Sequence, residues 1–134
     1  MMDDIPTIEV AAAVIEVDGR FLITQRTESS HLAGLWEFPG GKRRLSESLE
    51  ECLRREIHEE LGVEVRVGEK IETVIWNYPN RAVVLHFFRC GIERGEVAPQ
   101  EGQAFRWVTP AELPTLPFPP ADSTLISRLA GTPG

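Results

Sequence analysis

One amphipathic helix with its charges in unfavourable places constrains this chain more than any other feature. Residues 41–63 read GKRRLSESLEECLRREIHEELGV. Ser48 and Glu51 form an S-x-x-E capping box, which predicts a helix starting there. Leu49, Leu53, Ile57 and Leu61 recur every fourth residue and give the helix one apolar stripe, and Gly62 supplies its stop. Glu56, Glu59 and Glu60 crowd the last turns, where a helix already carries partial negative charge. Glu56 and Glu60 also make a like-charged i, i+4 pair, unfavourable by a few tenths of a kcal/mol. At about 100° per residue the three glutamates share one flank beside the stripe, not the face opposite it. The stripe needs a layer to cover it, and the acidic flank needs something to offset it.

The layer is written in the rest of the chain. IEVAAAVIEV and RFLITQR read as two strands joined at a DG turn, and WEFPGGK as a short extended piece ending in a glycine turn. VEVRV and IETVIWNY read as two further strands, and PNR turns the chain into the strand AVVLHFFRC. In FRWVTPAEL a strand passes into a helical turn with Thr109 as N-cap and Pro110 at the first helical position. PTLPFPP interrupts the chain before a last short helix in ADSTLISRLA. Strands on both sides of one strong helix, with a terminal helix, predict an α/β sandwich around a mixed sheet, one domain over residues 1–134.

Composition narrows the partners. A net charge of −7 argues against a nucleic-acid polymer, whose binding needs a basic surface. A small phosphorylated ligand remains compatible, because a bound cation reverses the sign locally. Cys52 and Cys90 lack metal or redox spacing and are expected to be buried thiols in a reducing compartment. The opening MMDDIPTIEV has no signal-peptide pattern, and no apolar run nears the roughly 20 residues that span a bilayer. The expectation is a cytoplasmic protein without a membrane partner, a monomer or weak homodimer.

A solvated acidic face is the ordinary reading of a Glu-Glu pair. Here the place beside the stripe, the helix end and the mutual repulsion all count against it. A hard divalent cation on carboxylate oxygens relieves all three, and Mg²⁺ typically takes one or two carboxylates, water and phosphate oxygens. Arg55, one step further round, can hold a carboxylate in a bidentate pair. His31, His58 and His86 lack ligand spacing, so zinc is not expected. Upstream, PGGKRRLSE combines glycines that let backbone approach a ligand with Lys42, Arg43 and Arg44, which can face phosphate. It is not a Walker loop, since no G-K-[ST] follows.

Together the glycine turn and the acidic helix match G-x5-E-x7-R-E-U-x-E-E-x-G-U, with U aliphatic, at every specified position. The chain therefore resembles the Nudix hydrolases, which split a nucleoside diphosphate linked to another group. The resemblance implies an α/β/α sandwich with a mixed β-sheet. It implies Glu56, Glu59 and Glu60 as metal-binding carboxylates, with the Gly40 carbonyl and Glu101 completing the site, Arg55 as the orienting arginine and Glu47 as the outlying glutamate. Mg²⁺ is the implied cofactor, with Mn²⁺ as a substitute. Glu56, Glu59 and Glu101 all stand open as the general base that deprotonates the attacking water.

LWEFPGGK, EGQ at 101–103 and FPPAD further resemble the small MutT-type branch, whose members hydrolyse nucleoside triphosphates to a monophosphate and pyrophosphate. That likeness implies substrate contacts at Arg26, His31 and Lys42, and in the hairpin NYPNRA at Tyr78, Asn80 and Arg81, although a plain turn explains the hairpin equally well. Asp122 departs from the Asn usual in the enzymes that clear 8-oxo-dGTP. An amide donates to O6 and accepts from N7–H, whereas an ionised Asp only accepts and suits the exocyclic amine of cytosine or adenine. Asp122 protonated in an apolar pocket would donate again, and Asp122 as N-cap of the last helix would have no ligand role. The implied activity is housecleaning of modified nucleotides such as 8-oxo-dGTP, with CTP or 5-methyl-dCTP as the alternative. A non-catalytic nucleotide-binding module is disfavoured by the full set of box glutamates.

Overall fold

The computed structural model describes residues 6–27 and 33–131. The long strands β1 (Thr7–Val17) and β2 (Arg20–Gln25) are joined by Asp18 and Gly19, both at positive φ, as a DG hairpin turn requires. β3 (Trp36–Glu37) and β4 (Gly40–Lys42) flank the Phe38–Pro39 step, and α1 (Leu49–Leu61) follows. The hairpin β5 (Glu64–Tyr78) and β6 (Arg81–Arg94) precedes β7 (Phe105–Val108), a 3₁₀ segment at Pro110–Thr115 and the short α2 (Ser123–Leu129). The strand order is β3-β2-β1-β6-β5, with β4 also paired to β1 and β7 to β2. β1 runs parallel to β6 and the other pairs are antiparallel, so the sheet is mixed.

Alternation along β1 sends its side chains to two cores. Ala11, Ala13 and Ile15 meet Leu53, Ile57 and Leu61 of α1, while Ala12 and Val14 meet Phe38, Phe87, Leu113 and Leu125 on the opposite face. Leu53, Ile57 and Leu61 of the stripe are thus buried as its spacing predicts, each contributing about 1.5–3 kcal/mol, and Leu49 packs partly buried against the same core. The capping box is present in both directions, Ser48 N donating to Glu51 Oε1 at 2.7 Å and Glu51 N to Ser48 Oγ at 3.1 Å. Cys52 and Cys90 are buried free thiols.

One expectation is corrected. VEVRV and IETVIWNY are a single bulged strand, because the β5–β6 register shifts between Val67 and Lys70 and again before Glu72. A bulge breaks the alternation that marks a strand without ending the pairing. Among the described residues no helix is long and apolar enough to cross a membrane.

Candidate active site

Two glycines bring α1 against the sheet. A Cβ on Gly40 would lie 2.0 Å from the Ala11 carbonyl oxygen, and one on Gly41 would lie 2.2 Å from Glu56 Oε1. Only glycine allows β4 to pair with β1 while the Glu56 carboxylate lies along it. Arg55 then gathers the acidic side chains. Its Nη2 and Nε lie 2.5 and 3.0 Å from the two oxygens of Glu47, and its Nη1 is 2.6 Å from Glu56 Oε2 and 3.5 Å from Glu59 Oε1. Nη2 also donates to the Lys42 carbonyl at 3.2 Å. Bonding to Arg55, then to the Arg44 amide, draws the Glu47 carboxyl down to about 2. Glu47 reciprocally raises the Arg55 guanidinium.

The loop 95–103 closes the other end of α1. Gln100 N donates to the Glu60 carbonyl at 2.8 Å and Ala98 N to the Leu61 carbonyl at 2.9 Å, so the helix terminus is satisfied from outside. The same loop brings Glu101 to a recess of about 150 Å³ lined also by Thr24, Arg26, Glu37 and Glu60. Burial pushes Glu60 up to about 9, helped by a hydrogen bond with Glu56 and by the charges of Glu56, Glu37 and Glu101. A carboxyl that burial and neighbouring carboxylates make hold its proton belongs to an all-oxygen donor set of the kind a hard cation takes. Among the described residues no three acidic, His or Cys side chains converge at ligand distance; Arg55 instead draws Glu56 and Glu59 toward itself.

On the opposite face of the sheet lies an apolar recess of about 320 Å³. Phe38, Phe87 and Trp76 supply its apolar lining, and Tyr78, Arg81 and Lys42 stand at it. The Arg81 guanidinium lies 5.4 Å from the centroid of the Tyr78 ring, and its buried Nε has no hydrogen-bond partner among the described residues. Asn80 is different: it is exposed in the two-residue turn and does not line the recess. His31 lies outside the described residues.

Asp122 is only 6% exposed and lines the same recess. It occupies the N-cap position of α2 but makes no side-chain capping bond, so the capping reading fails. Burial raises its carboxyl to about 7, with the Glu37 charge adding to the rise and Arg26 opposing it. Glu37 and Trp76 are site residues that the sequence reading did not single out. The available signal for Glu37 was a charged residue inside the otherwise apolar LWEFPGG.

Fold and site together define a class: a mixed-sheet α/β/α protein that seats a carboxylate-bearing helix against a double-glycine turn, beside an apolar recess. A family model described as NUDIX domain matches residues 10–128, and the chain belongs to the Nudix family. A CTP pyrophosphohydrolase of Escherichia coli (strain K12) is 42% identical over 119 residues, covering 89% of this chain and 88% of the relative. An 8-oxo-dGTP diphosphatase of Haemophilus influenzae is 37% identical over 123 residues, covering 91% and 90%. The solution structure of the E. coli ORF135 protein superposes with a TM-score of 0.81 at 39% identity, covering 97% of this chain and 96% of that one. The crystal structure of a MutT protein from Methanosarcina mazei superposes with a TM-score of 0.85 at 28% identity, covering 96% of both.

Proposed function

We propose that this Nudix hydrolase is a Mg²⁺-dependent nucleoside triphosphate pyrophosphohydrolase that clears oxidised or otherwise modified deoxynucleotides, 8-oxo-dGTP among them. The products are a nucleoside monophosphate and pyrophosphate. The reading takes residues 1–134 as one cytoplasmic domain, a monomer or weak homodimer, acting in nucleotide-pool housecleaning. Relatives named for 8-oxo-dGTP and for CTP both support a triphosphate substrate.

In this reading Glu56, Glu59, Glu60 and Glu101, with the Gly40 carbonyl, hold the metal. A Mg²⁺ ion held there would supply charge neutralisation for the polyphosphate and Lewis acidity toward phosphorus and water. Arg55, anchored by Glu47, fixes the Glu56 and Glu59 carboxylates. Lys42 faces the phosphates, Tyr78 and Arg81 flank the nucleoside, and Arg26 orients Glu37 between the two recesses. Glu56, Glu59 or Glu101 takes the proton of the attacking water.

The observation that carries the substrate reading is Asp122, buried at the apolar recess with its carboxyl raised to about 7. A neutral carboxylic acid has one O–H donor and one carbonyl acceptor, the same pair that an amide offers to O6 and N7–H of 8-oxoguanine. The same residue favours the second reading. Once ionised, Asp122 only accepts, and it then suits the amine of CTP or 5-methyl-dCTP. Side-by-side turnover of 8-oxo-dGTP, dGTP, CTP and 5-methyl-dCTP, with and without Mg²⁺, separates these readings. Absence of turnover on all four would favour a nucleotide-binding module.

A further inference from the structure

The loop that leads into α1 is tied to a polar chain running across the sheet. Glu9 on β1 and His86 on β6 stand two residues from Ala11 and Phe88, on the face that α1 covers. His86 is 7% exposed, with Lys70 Nζ 3.1 Å from its Nδ1 and Glu9 Oε1 3.2 Å from its Nε2. A lysine ammonium only donates and a carboxylate only accepts, so Nδ1 accepts from Lys70 and Nε2–H donates to Glu9. The second Glu9 oxygen receives Arg43, at 3.0 Å from Nε and 2.8 Å from Nη2, and the Arg43 amide donates to the Glu9 carbonyl at 2.9 Å.

Arg43 does more than complete an ion pair. Its Nη1 donates to the carbonyls of Glu47, at 3.1 Å, and of Arg44, at 3.3 Å. The turn held in this way is the one in which the Arg44 amide donates to Glu47 Oε1 at 2.9 Å. Glu47 in turn is the residue that grips Arg55 through both carboxylate oxygens. Polar contacts therefore run without interruption from Lys70 to the guanidinium that fixes Glu56.

We propose that Lys70, His86, Glu9 and Arg43 form a positioning network that holds the 43–47 turn so that Glu47 keeps Arg55 clamped. None of the four lines the apolar or the acidic recess; they act through Glu47. Only the consequence for metal rests on the proposed active-site reading: Arg55 released from Glu47 competes with a cation for Glu56.

Nitrogen-15 spectroscopy on the metal-free chain tests this directly. In Arg43→Gln the Arg55 Nε–H and the amides of Arg44 and Glu47 should exchange about tenfold faster, the factor expected for one lost charge-assisted hydrogen bond. The Ile57 amide, inside α1, should not change. Arg43→Lys, which keeps charge without the fork, should fall between, and Glu9→Gln should move the same signals with side-chain volume preserved. Unchanged Arg55 Nε–H exchange in both Arg43→Gln and Glu9→Gln overturns the network. A Mn²⁺ titration judges the metal reading separately. Weaker Mn²⁺ binding by Arg43→Gln supports the coupling, whereas a wild-type chain that binds no Mn²⁺ overturns the metal reading and leaves the exchange result to decide the network.

Discussion

Arg26 Nη1 lies 2.7 Å from Glu37 Oε1, and this pair lines both the acidic recess and the apolar one. Burial raises the Glu37 carboxyl although Arg26 opposes the rise. The Glu37 charge also raises Asp122 on one side and Glu60 on the other, so one carboxylate couples the apolar recess to the acidic one. Glu37→Gln keeps the shape and removes the charge. Both midpoints should fall, Asp122 below about 7 and Glu60 below about 9. Carboxyl carbon titration by NMR reads this, and unmoved midpoints would break the proposed coupling.

Asp122→Asn should change both preference and pH dependence. The native carboxyl titrates near 7 against an ordinary 3.8, so its contribution to stability is fully present below 3.8 and lost as pH rises through 7. Asparagine does not titrate. The melting temperature of the variant should therefore gain on that of wild type between pH 5 and pH 8. On the wild-type enzyme the ratio of CTP to 8-oxo-dGTP turnover should rise across the same interval as the acceptor-only form takes over. The variant should hold that ratio flat and lower it by about tenfold, the discrimination that one good base contact supplies. Identical profiles for the two proteins would remove Asp122 from base reading.

Much of this was legible in the chain because it depends on local spacing. The capping box, the four-residue stripe and Gly62 each act within a few residues, so the helix and its burial followed from pattern alone. The Asp122 environment did not, because its pKa is set by desolvation against strands distant in sequence and by Glu37, 85 residues earlier. Glu9 and His86 were illegible for the same reason: neither has ligand spacing, and they meet only because β1 pairs in parallel with β6. The continuous β5 was hidden by its bulges, which scramble alternation while the ladder persists.

Glu60→Gln isolates the carboxyl proposed to hold the metal. The amide has the same shape, and Glu60 carries its proton in the metal-free fold, so folding should be preserved. What is lost is the anionic form that a cation would stabilise. Turnover should fall by at least the 10- to 100-fold typical even for an outer partner of a metal site. Steady-state rates at saturating Mg²⁺ check this, and a wild-type rate there would take Glu60 out of the metal site.

Metal and proton should compete at Glu60, and this gives a signature in stability as well as rate. Its folded midpoint of about 9 lies above the ordinary 4.5, so in metal-free protein its contribution is complete below 4.5 and disappears as pH rises through 9. The metal-free melting temperature should therefore decline from pH 5 to pH 9. A cation binds the deprotonated carboxylate and releases the proton, so Mg²⁺ should stabilise more at pH 9 than at pH 6. At about a hundred times its Kd, binding to the native state alone adds about 2.7 kcal/mol, a rise on the order of 10 °C for a chain of this size. Thermal melts across pH with and without Mg²⁺ read both slopes. In Glu60→Gln the metal-free decline should flatten and the Mg²⁺ increment should shrink. A melt that ignores millimolar Mg²⁺ at pH 9 would mean that the acidic flank of α1 is not a cation site.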